Sequence, residues 1–330
     1  MAACTATGKA ICIASGKAIY LAAGAAIRLN STDLLTLMEI SKHMQPMTEI
    51  DTTDKSEAGP SAGPNSEPDT KPDTEPNTVH QPDEKGHSSH IDPEEVARFA
   101  AIASEWWDAR GKFRPLHLLA PTRIRFIRDQ LSAHFDREVN SGRPLDGLKL
   151  LDIGCGGGLV SEPLARLGGQ VTGIDPAGAS LDAARAHAVG QGLEINYRDA
   201  WAEDLVKEGA QFDAVLCLEV IEHVPDVSAF VKTCRSLVAP GGIMVLSTIN
   251  RTAKSYAMAI IGAEYVLRWL PTGTHTWSRF VTPGEMANDV AAAGLKLENV
   301  QGVVMDPLSG NWSLSERDVD VNYMATAREE

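Results

Sequence analysis

The chain has 330 residues, of which 43% are hydrophobic, and carries a formal net charge of −14. It is long enough to build a sizeable core in one large domain or two small ones, and it offers no basic surface for a nucleic-acid backbone. Five cysteines without CxxC spacing predict reduced thiols in a cytosol-like compartment, and exclude a disulfide framework or a zinc site as leading hypotheses. The cysteines are Cys4, Cys12, Cys155, Cys217 and Cys234.

Residues 1–47 form an apolar, alanine-rich extension. Its longest uncharged run, 18–27, is too short to span a bilayer. The run fits the apolar part of an export or organelle signal, or the true start lies downstream, at Met44 or Met47, which is the interpretation that we favour. On either interpretation we expect part of the extension to be absent from the mature protein.

Residues 48–91 repeat Pro, Asp, Thr and Glu, as in "NSEPDTKPDTEPNT", and 45–92 hold eleven acids against three lysines. Such a stretch buries too little apolar surface to offset its ordering entropy. We therefore expect an acidic, disordered linker over 48–91.

Order is predicted to begin at "IDPEEVARFAAIASEWWD". Asp92 can cap a helix whose first position is Pro93, and apolar residues then recur at helical spacing as far as Trp106. A second helix is expected to follow Pro121.

Short apolar runs alternate with helical stretches from residue 148 onward. This rhythm predicts βαβ units and a mostly parallel sheet covered by helices on both faces, with ligands at the carboxyl ends of the strands. The runs are "LKLLDIG", "QVTGID", "EINYRD", "FDAVLCL" and "GIMVLST".

The loop "DIGCGGGLV" after the first of these runs admits three interpretations. A P-loop needs Lys-Ser/Thr after its last glycine, and a dinucleotide fingerprint needs Gly or Ala where Leu159 stands. A cofactor without phosphate, S-adenosylmethionine, fits better: Asp152 can accept from its ammonium, and Gly154 and Gly156 allow a close approach. Asp175, at the end of the next run, can hold ribose hydroxyls.

The runs "LLDIGCGGG", "VTGID", "FDAVLCLEVIEHVPD" and "LVAPGGIMVLSTINR" resemble the motif series of class I S-adenosylmethionine-dependent methyltransferases. "EWWDARGKFRPLHLLAPTRIRFI", "INRTAKSYAMAIIGAEYVLRWLPTGTH" and "DVDVNYMATA" are similar to the ubiquinone-biosynthesis O-methyltransferase family. The resemblance covers about 91–330 and implies a Rossmann-like α/β domain over 92–330, with a seven-stranded, mostly parallel sheet and a C-terminal antiparallel hairpin. It also implies methyl transfer to catechol hydroxyls of polyprenylated ubiquinone precursors, at both O-methylation steps.

The resemblance implies a set of cofactor contacts as well. By that match Arg123 contacts the cofactor carboxylate, to which a guanidinium fork is suited. The family usually has Asn-Pro before this arginine, where this chain has Ala120 and Pro121. The other matched positions are Gly154 at the methionine part, Asp175 at the ribose, Leu218 in the adenine or methionine pocket, and Ala202 at the adenine.

The acceptor hydroxyl must lose its proton to a base or bind a metal ion, and Glu219, Glu222 and His223 are the candidate residues for this chemistry. A helix after Leu218 would place all three on one face. The resemblance to eukaryotic members of the family implies that such a triplet holds Mg²⁺. In a second interpretation Glu219 and His223 act as base or orienting groups. In a third, His223 only fixes the turn before Pro225. His275, in "PTGTHTW", is the rival base.

Within the segment 253–280, the run "AKSYAMAIIGAEYVLRWLP" is apolar around most of its circumference and carries interfacial aromatic residues. We interpret the segment as a lid that contacts the membrane, because a polyprenylated substrate stays there. One alternative is a helix packed on the sheet that covers the active site without touching lipid. The expected location is cytoplasmic, peripheral at the inner face of the membrane, with other quinone-biosynthesis enzymes as candidate partners and no nucleic acid. The alternative function is a class I methyltransferase acting on another small phenol, a carbon or a carboxylate.

Overall fold

A computed structural model of the protein describes residues 96–97, 100–258, 260, 276–306 and 309–330, and four short strands near the start of the chain. These strands, β1 to β4, pair antiparallel in chain order. Their bounds are Ala2–Cys4, Ala10–Ala14, Lys17–Ala22 and Ala25–Leu29. The sequence analysis did not predict them, since alanine favours strands only weakly. The expected linker over 48–91 and the cap at Asp92 and Pro93 lie outside the described residues.

Within the described residues, eight further strands form one mixed sheet. They are β5 Lys149–Ile153, β6 Gln170–Ile174, β7 Asn196–Arg198, β8 Phe212–Leu218, β9 Val238–Ile249, β10 Lys296–Met305, β11 Trp312–Ser315 and β12 Asn322–Arg328. Their order is β11-β10-β12-β9-β8-β5-β6-β7. Strands β5 to β9 are parallel, β12 is antiparallel to β9 and β10, and β11 is antiparallel to β10.

The five predicted apolar runs are strands β5 to β9, so the expected parallel sheet is confirmed. The sheet has one strand more than the seven expected. The polar connection between the two strands of the expected hairpin contributes β11, in which Trp312 pairs with Met305 at the sheet edge. An added edge strand pairs through its backbone, so the polar pattern of the connection did not reveal it.

Helices cover both faces of this sheet, because successive strand residues point to opposite faces. They are α1 Arg114–His134, α2 Ser161–Arg166, α3 Gly178–Gly190, α4 Ala202–Lys207, α5 Val227–Ser236, α6 Ala253–Ser255 and α7 Pro283–Ala292, with 3₁₀ turns at Ala103–Glu105, Ile221–His223 and Trp277–Arg279. Leu151 lies in a core cluster with residues of α4, α5 and α7. Leu150 lies in another with residues of α1 and α2. Within the described ranges, no helix combines the length and apolarity that crossing a bilayer requires.

The second predicted helix starts earlier than expected, and the first ends in a 3₁₀ turn. Helix α1 begins at Arg114 and contains Pro121, where the expected helix was to begin. The proline removes one backbone donor from the helix interior. Burial of Leu119 and Phe126 in the core on either side of the proline offsets this loss.

Candidate functional site

The loop between β5 and α2 lies at the carboxyl ends of the parallel strands, where ligands bind in such sheets. Gly154, Gly156 and Gly158 have φ values of +70°, +51° and +87°, which L side chains rarely adopt. The Gly154 N–H donates to the Ile174 carbonyl oxygen at 2.8 Å, tying the loop to the end of β6. The glycines therefore set the path of this loop.

Trp106 packs directly on the glycine loop. A Cβ built on Gly156 would lie 2.4 Å from Trp106 Cζ2, and one built on Gly157 would lie 2.4 Å from Trp106 Cγ. The indole N–H donates to Ser180 Oγ at 3.1 Å, and the ring stacks on Phe113 with 3.8 Å between centroids. The missing Cβ atoms thus make room for Trp106, which the sequence analysis did not anticipate. Cofactor contact by the loop backbone stays a prediction.

Asp152 lies at the end of β5 and is only 2% exposed. The Ser161 hydroxyl donates to its Oδ2 at 2.6 Å. Burial raises the pKa of Asp152 to about 6, partly offset by the Ser161 hydrogen bond, with smaller opposing effects from Asp175 and Arg123. A buried carboxylate of this kind is stabilised by a cation, and an ammonium group would supply one.

Asp175 follows β6 and faces the glycine loop. Its Oδ2 accepts from the Gly156 N–H at 2.9 Å, and its Oδ1 accepts from the Ala177 N–H at 2.8 Å. Burial raises the pKa of Asp175 to about 6 despite these two hydrogen bonds. Each carboxylate oxygen has further acceptor capacity, so the position fits the expected ribose contact.

Arg123 lies on the inner side of α1 and is 6% exposed. Its Nη2 is 2.8 Å from Glu219 Oε1. Its Nε is buried and has no hydrogen-bond partner among the described residues. A buried cation with an unpartnered donor fits a ligand carboxylate. The structure therefore contains both groups expected to bind the amino-acid part of the cofactor: Asp152 for its ammonium and Arg123 for its carboxylate.

The expected helix after Leu218 is wrong. Glu219 adopts φ +56°, and a 3₁₀ turn, Ile221–His223, follows. The turn redirects the chain, so the helical face expected to carry Glu219, Glu222 and His223 does not form.

The two glutamates consequently have different surroundings. The Ser247 hydroxyl donates to Glu219 Oε1 at 2.6 Å. Glu222 is 3% exposed, and its Oε2 accepts from the Thr248 hydroxyl at 2.6 Å. Burial raises the pKa of Glu222 to about 7, with a further contribution from Glu219.

The residues do not fit the Mg²⁺ site that the family resemblance implies. Over the described ranges, no group of three or more His, Cys, Asp and Glu side chains could hold a metal ion. Glu219 is bound to Arg123, and Glu222 is turned into the core against Thr248. We therefore assign no step to a metal.

The remaining predicted residues are dispersed. Leu218 ends β8 and is buried, and Ala202 is the buried first residue of α4. His223 is partly exposed at the end of its turn. His275 lies outside the described residues.

Sequence analysis missed three side chains that shape the site: Trp106, Ser161 and Ser247. Ser247 could have been found, because it lies in the predicted strand "GIMVLST", whose carboxyl end adjoins that of β8; the structure aligns it with Leu218. Trp106 was predicted only as a core residue of a helix, and no local signal places it on the glycines.

Comparisons with known proteins show which family the chain resembles. A family model described as Methyltransferase domain matches residues 151–246. The chain is 52% identical over 240 residues to the ubiquinone biosynthesis O-methyltransferase of Cereibacter sphaeroides, covering 73% of this chain and 97% of that one. It is 53% identical over 244 residues to the protein of the same name from Parvibaculum lavamentivorans, covering 74% and 96%.

Among solved structures, an S-adenosylmethionine-dependent methyltransferase of Thermotoga maritima superposes with a TM-score of 0.50 at 15% identity, covering 72% of this chain and 100% of that one. At that identity the likeness shows the fold alone, and it confirms the expected Rossmann-like class I methyltransferase architecture. Function rests instead on relatives that share half of their residues over nearly their whole length. The chain belongs to the ubiquinone biosynthesis O-methyltransferase family and is an S-adenosylmethionine-dependent methyltransferase.

Proposed function

We propose that the protein transfers the methyl group of S-adenosylmethionine to catechol hydroxyls of polyprenylated ubiquinone precursors, at both O-methylation steps of the pathway. The observation that carries the proposal is the match to relatives of that name over 97% of their length. Two buried residues support it: Asp152 near the end of β5, and Arg123 of α1, which contacts Glu219 just after β8. Together they suit an amino-acid ligand that carries both charges.

The cofactor is held, in this proposal, by residues at the ends of three strands and on two helices. Asp152 accepts from its ammonium, Arg123 donates to its carboxylate, and Asp175 accepts from its ribose hydroxyls. The backbone at Gly154 and Gly156 adjoins its methionine part. The adenine pocket is lined by Leu218 and Ala202.

The sulfonium group supplies an activated methyl group, so the protein must align the acceptor and help to remove its proton. A phenol has a pKa of about 10 and is mostly protonated at neutral pH. Of the predicted catalytic residues Glu219, His223 and His275, Glu219 is occupied by Arg123. This leaves His223 as the base, with His275 as its rival.

Single-turnover methylation against pH ranks the two histidines. Loss of the base should lower the methylation rate and remove the ascending limb of its pH profile, because proton removal then depends on hydroxide. His223→Gln and His275→Gln serve as controls for each other. If neither variant alters the profile, both assignments fail.

The acceptor is tested with purified protein, labelled cofactor and a short-chain prenylated catechol. A mono-O-methyl product is expected, with no transfer to the matched prenylated monophenol. Transfer to a carbon or carboxylate acceptor, with none to the catechol, would refute the substrate while leaving the methyltransferase intact. Cells that lack the protein should accumulate a demethylated catechol precursor, measured by mass spectrometry of their quinones.

We place the protein at the cytoplasmic face of the membrane, with the segment 253–280 as its contact and other quinone-biosynthesis enzymes as candidate neighbours. The support is sequence pattern alone: most of the segment, 259 and 261–275, lies outside the described residues. Liposome flotation of the wild type against the Ile260→Asp/Val266→Asp variant tests this. Equal flotation of two folded proteins would remove the proposal.

A further inference from the structure

We propose that Glu219 is a positioning residue that holds the Arg123 guanidinium in place for the cofactor carboxylate. The inference rests on the proposed function, in which Arg123 binds that carboxylate. It replaces the roles of base and metal ligand that sequence reasoning gave to Glu219.

The backbone of Glu219 gives the first reason. Three described residues other than glycine have positive φ: Asp136, Glu219 and Asn299. Asp and Asn tolerate this region because their short side chains bond locally, whereas the longer Glu side chain makes the conformation unfavourable there. A glycine would adopt the positive φ after β8 without strain. We therefore expect the carboxylate of Glu219 to make interactions that offset the strain of its backbone.

The contacts of the carboxylate give the second reason. Oε1 lies 2.8 Å from Arg123 Nη2 and accepts from Ser247 Oγ at 2.6 Å. Asn322 Nδ2 donates to Oε2 at 3.4 Å. These donors come from α1, β9 and β12, so Glu219 is fixed from three elements while it fixes the guanidinium.

The geometry of Arg123 gives the third reason. A guanidinium carries five N–H donors in a rigid fork, and Glu219 takes a donor on Nη2. The unpartnered Nε stays buried. With Glu219 as counter-ion, a buried arginine keeps its charge compensated and its orientation set before the ligand arrives. Without it, the buried charge would have to move toward water or lose its orientation.

The test compares Glu219→Gln with the wild type in cofactor binding and in steady-state kinetics with S-adenosylmethionine and the catechol. We expect the Kd for S-adenosylhomocysteine and the KM for S-adenosylmethionine to rise by on the order of 10-fold, because a charged hydrogen bond orients Arg123. The kcat should change little, since Arg123 contacts the amino-acid end of the cofactor and not the transferred methyl group. Glu329→Gln is the matched control: it alters an Arg–Glu pair with Arg235 on an exposed surface, and should change neither constant.

A double-mutant cycle tests whether Glu219 acts through Arg123. In the Arg123→Gln background, Glu219→Gln should cause no further loss of cofactor affinity. Additive losses would overturn the proposal. So would an unchanged Kd for S-adenosylhomocysteine combined with loss of a Mg²⁺-dependent activity, which would identify a metal ligand.

Two further arms keep the result interpretable. Ser247→Ala removes one hydrogen bond to Glu219 without leaving a charge unpaired, so it should raise the same Kd by a smaller factor even if Glu219→Gln does not fold. The wild type must bind S-adenosylhomocysteine; if it does not, the proposed function fails. If the wild type binds but the losses of affinity in the Glu219 and Arg123 variants are additive, only the positioning role of Glu219 is refuted.

Discussion

The Asp152→Asn variant is expected to gain stability relative to the wild type as the pH rises from acid to neutral, in the absence of cofactor. It is also expected to bind the cofactor more weakly. The reason is burial: the pKa of Asp152 is raised from 3.8 to about 6, so the folded protein holds a proton that the unfolded chain has lost. In the wild type, this stabilising effect of protonation is fully present below about pH 4 and is lost as pH rises through about 6. Asparagine has no proton to lose, and its amide oxygen can still accept from Ser161.

The magnitude follows from the shift. About two pKa units correspond to about 3 kcal/mol in total, of which about 1.4 kcal/mol is lost between pH 5 and pH 7.5. Relative to the wild type, the unfolding free energy of Asp152→Asn should therefore be higher at pH 7.5 than at pH 5 by about that amount. At pH 7.5 its affinity for S-adenosylhomocysteine should fall by on the order of 10-fold, because the ammonium loses a charged acceptor.

Urea unfolding at both pH values and calorimetric titration measure the two effects. Asp213→Asn is the matched control: Asp213 accepts from the Lys149 N–H at 2.8 Å, at the opposite end of the same sheet. It should show no change in cofactor affinity. The reasoning is refuted if the difference between Asp152→Asn and the wild type is the same at pH 5 and at pH 7.5.

Three further substitutions test the packing and the buried charge. Gly157→Ala should lower the unfolding free energy by about 1–3 kcal/mol, because its Cβ would meet Trp106. The control Gly190→Ala has open space around its Cβ and should be neutral or raise the unfolding free energy by about 0.5–1 kcal/mol. Equal urea midpoints for the two variants would contradict this. Gly302→Ala should destabilise by about 3 kcal/mol or more, because its Cβ would fall 1.6 Å from a backbone oxygen; a thermal unfolding midpoint like the wild type's would contradict this. Glu222→Gln should reduce the loss of unfolding free energy as the pH rises from about 5 to about 8, since burial raises the pKa of that carboxyl to about 7; parallel stability profiles would count against it.

Sequence alone determined the parallel part of the sheet and the edge at which Asp152 and Asp175 lie. Strands β5, β6, β8 and β9 bury consecutive residues and hence both faces, so each appears as an apolar run that needs no tertiary context to be seen. The short strand β7 buries only Tyr197. Asp152 and Asp175 were predicted correctly at strand ends, because a strand followed by a glycine turn fixes where its last residue lies.

Tertiary structure decided how the polar residues at that edge are partnered. Nothing local to "LEVIEH" requires positive φ at Glu219; that conformation exists because Arg123, 96 positions earlier in the chain, and Ser247, 28 positions later, meet its carboxylate. A helix after Leu218 was the reasonable local expectation, but buried charge must find its counter-ion, and that requirement is met only in the folded molecule. Trp106 on the glycine loop is the same kind of outcome: its packing partners are distant in sequence, so no periodicity could have revealed them.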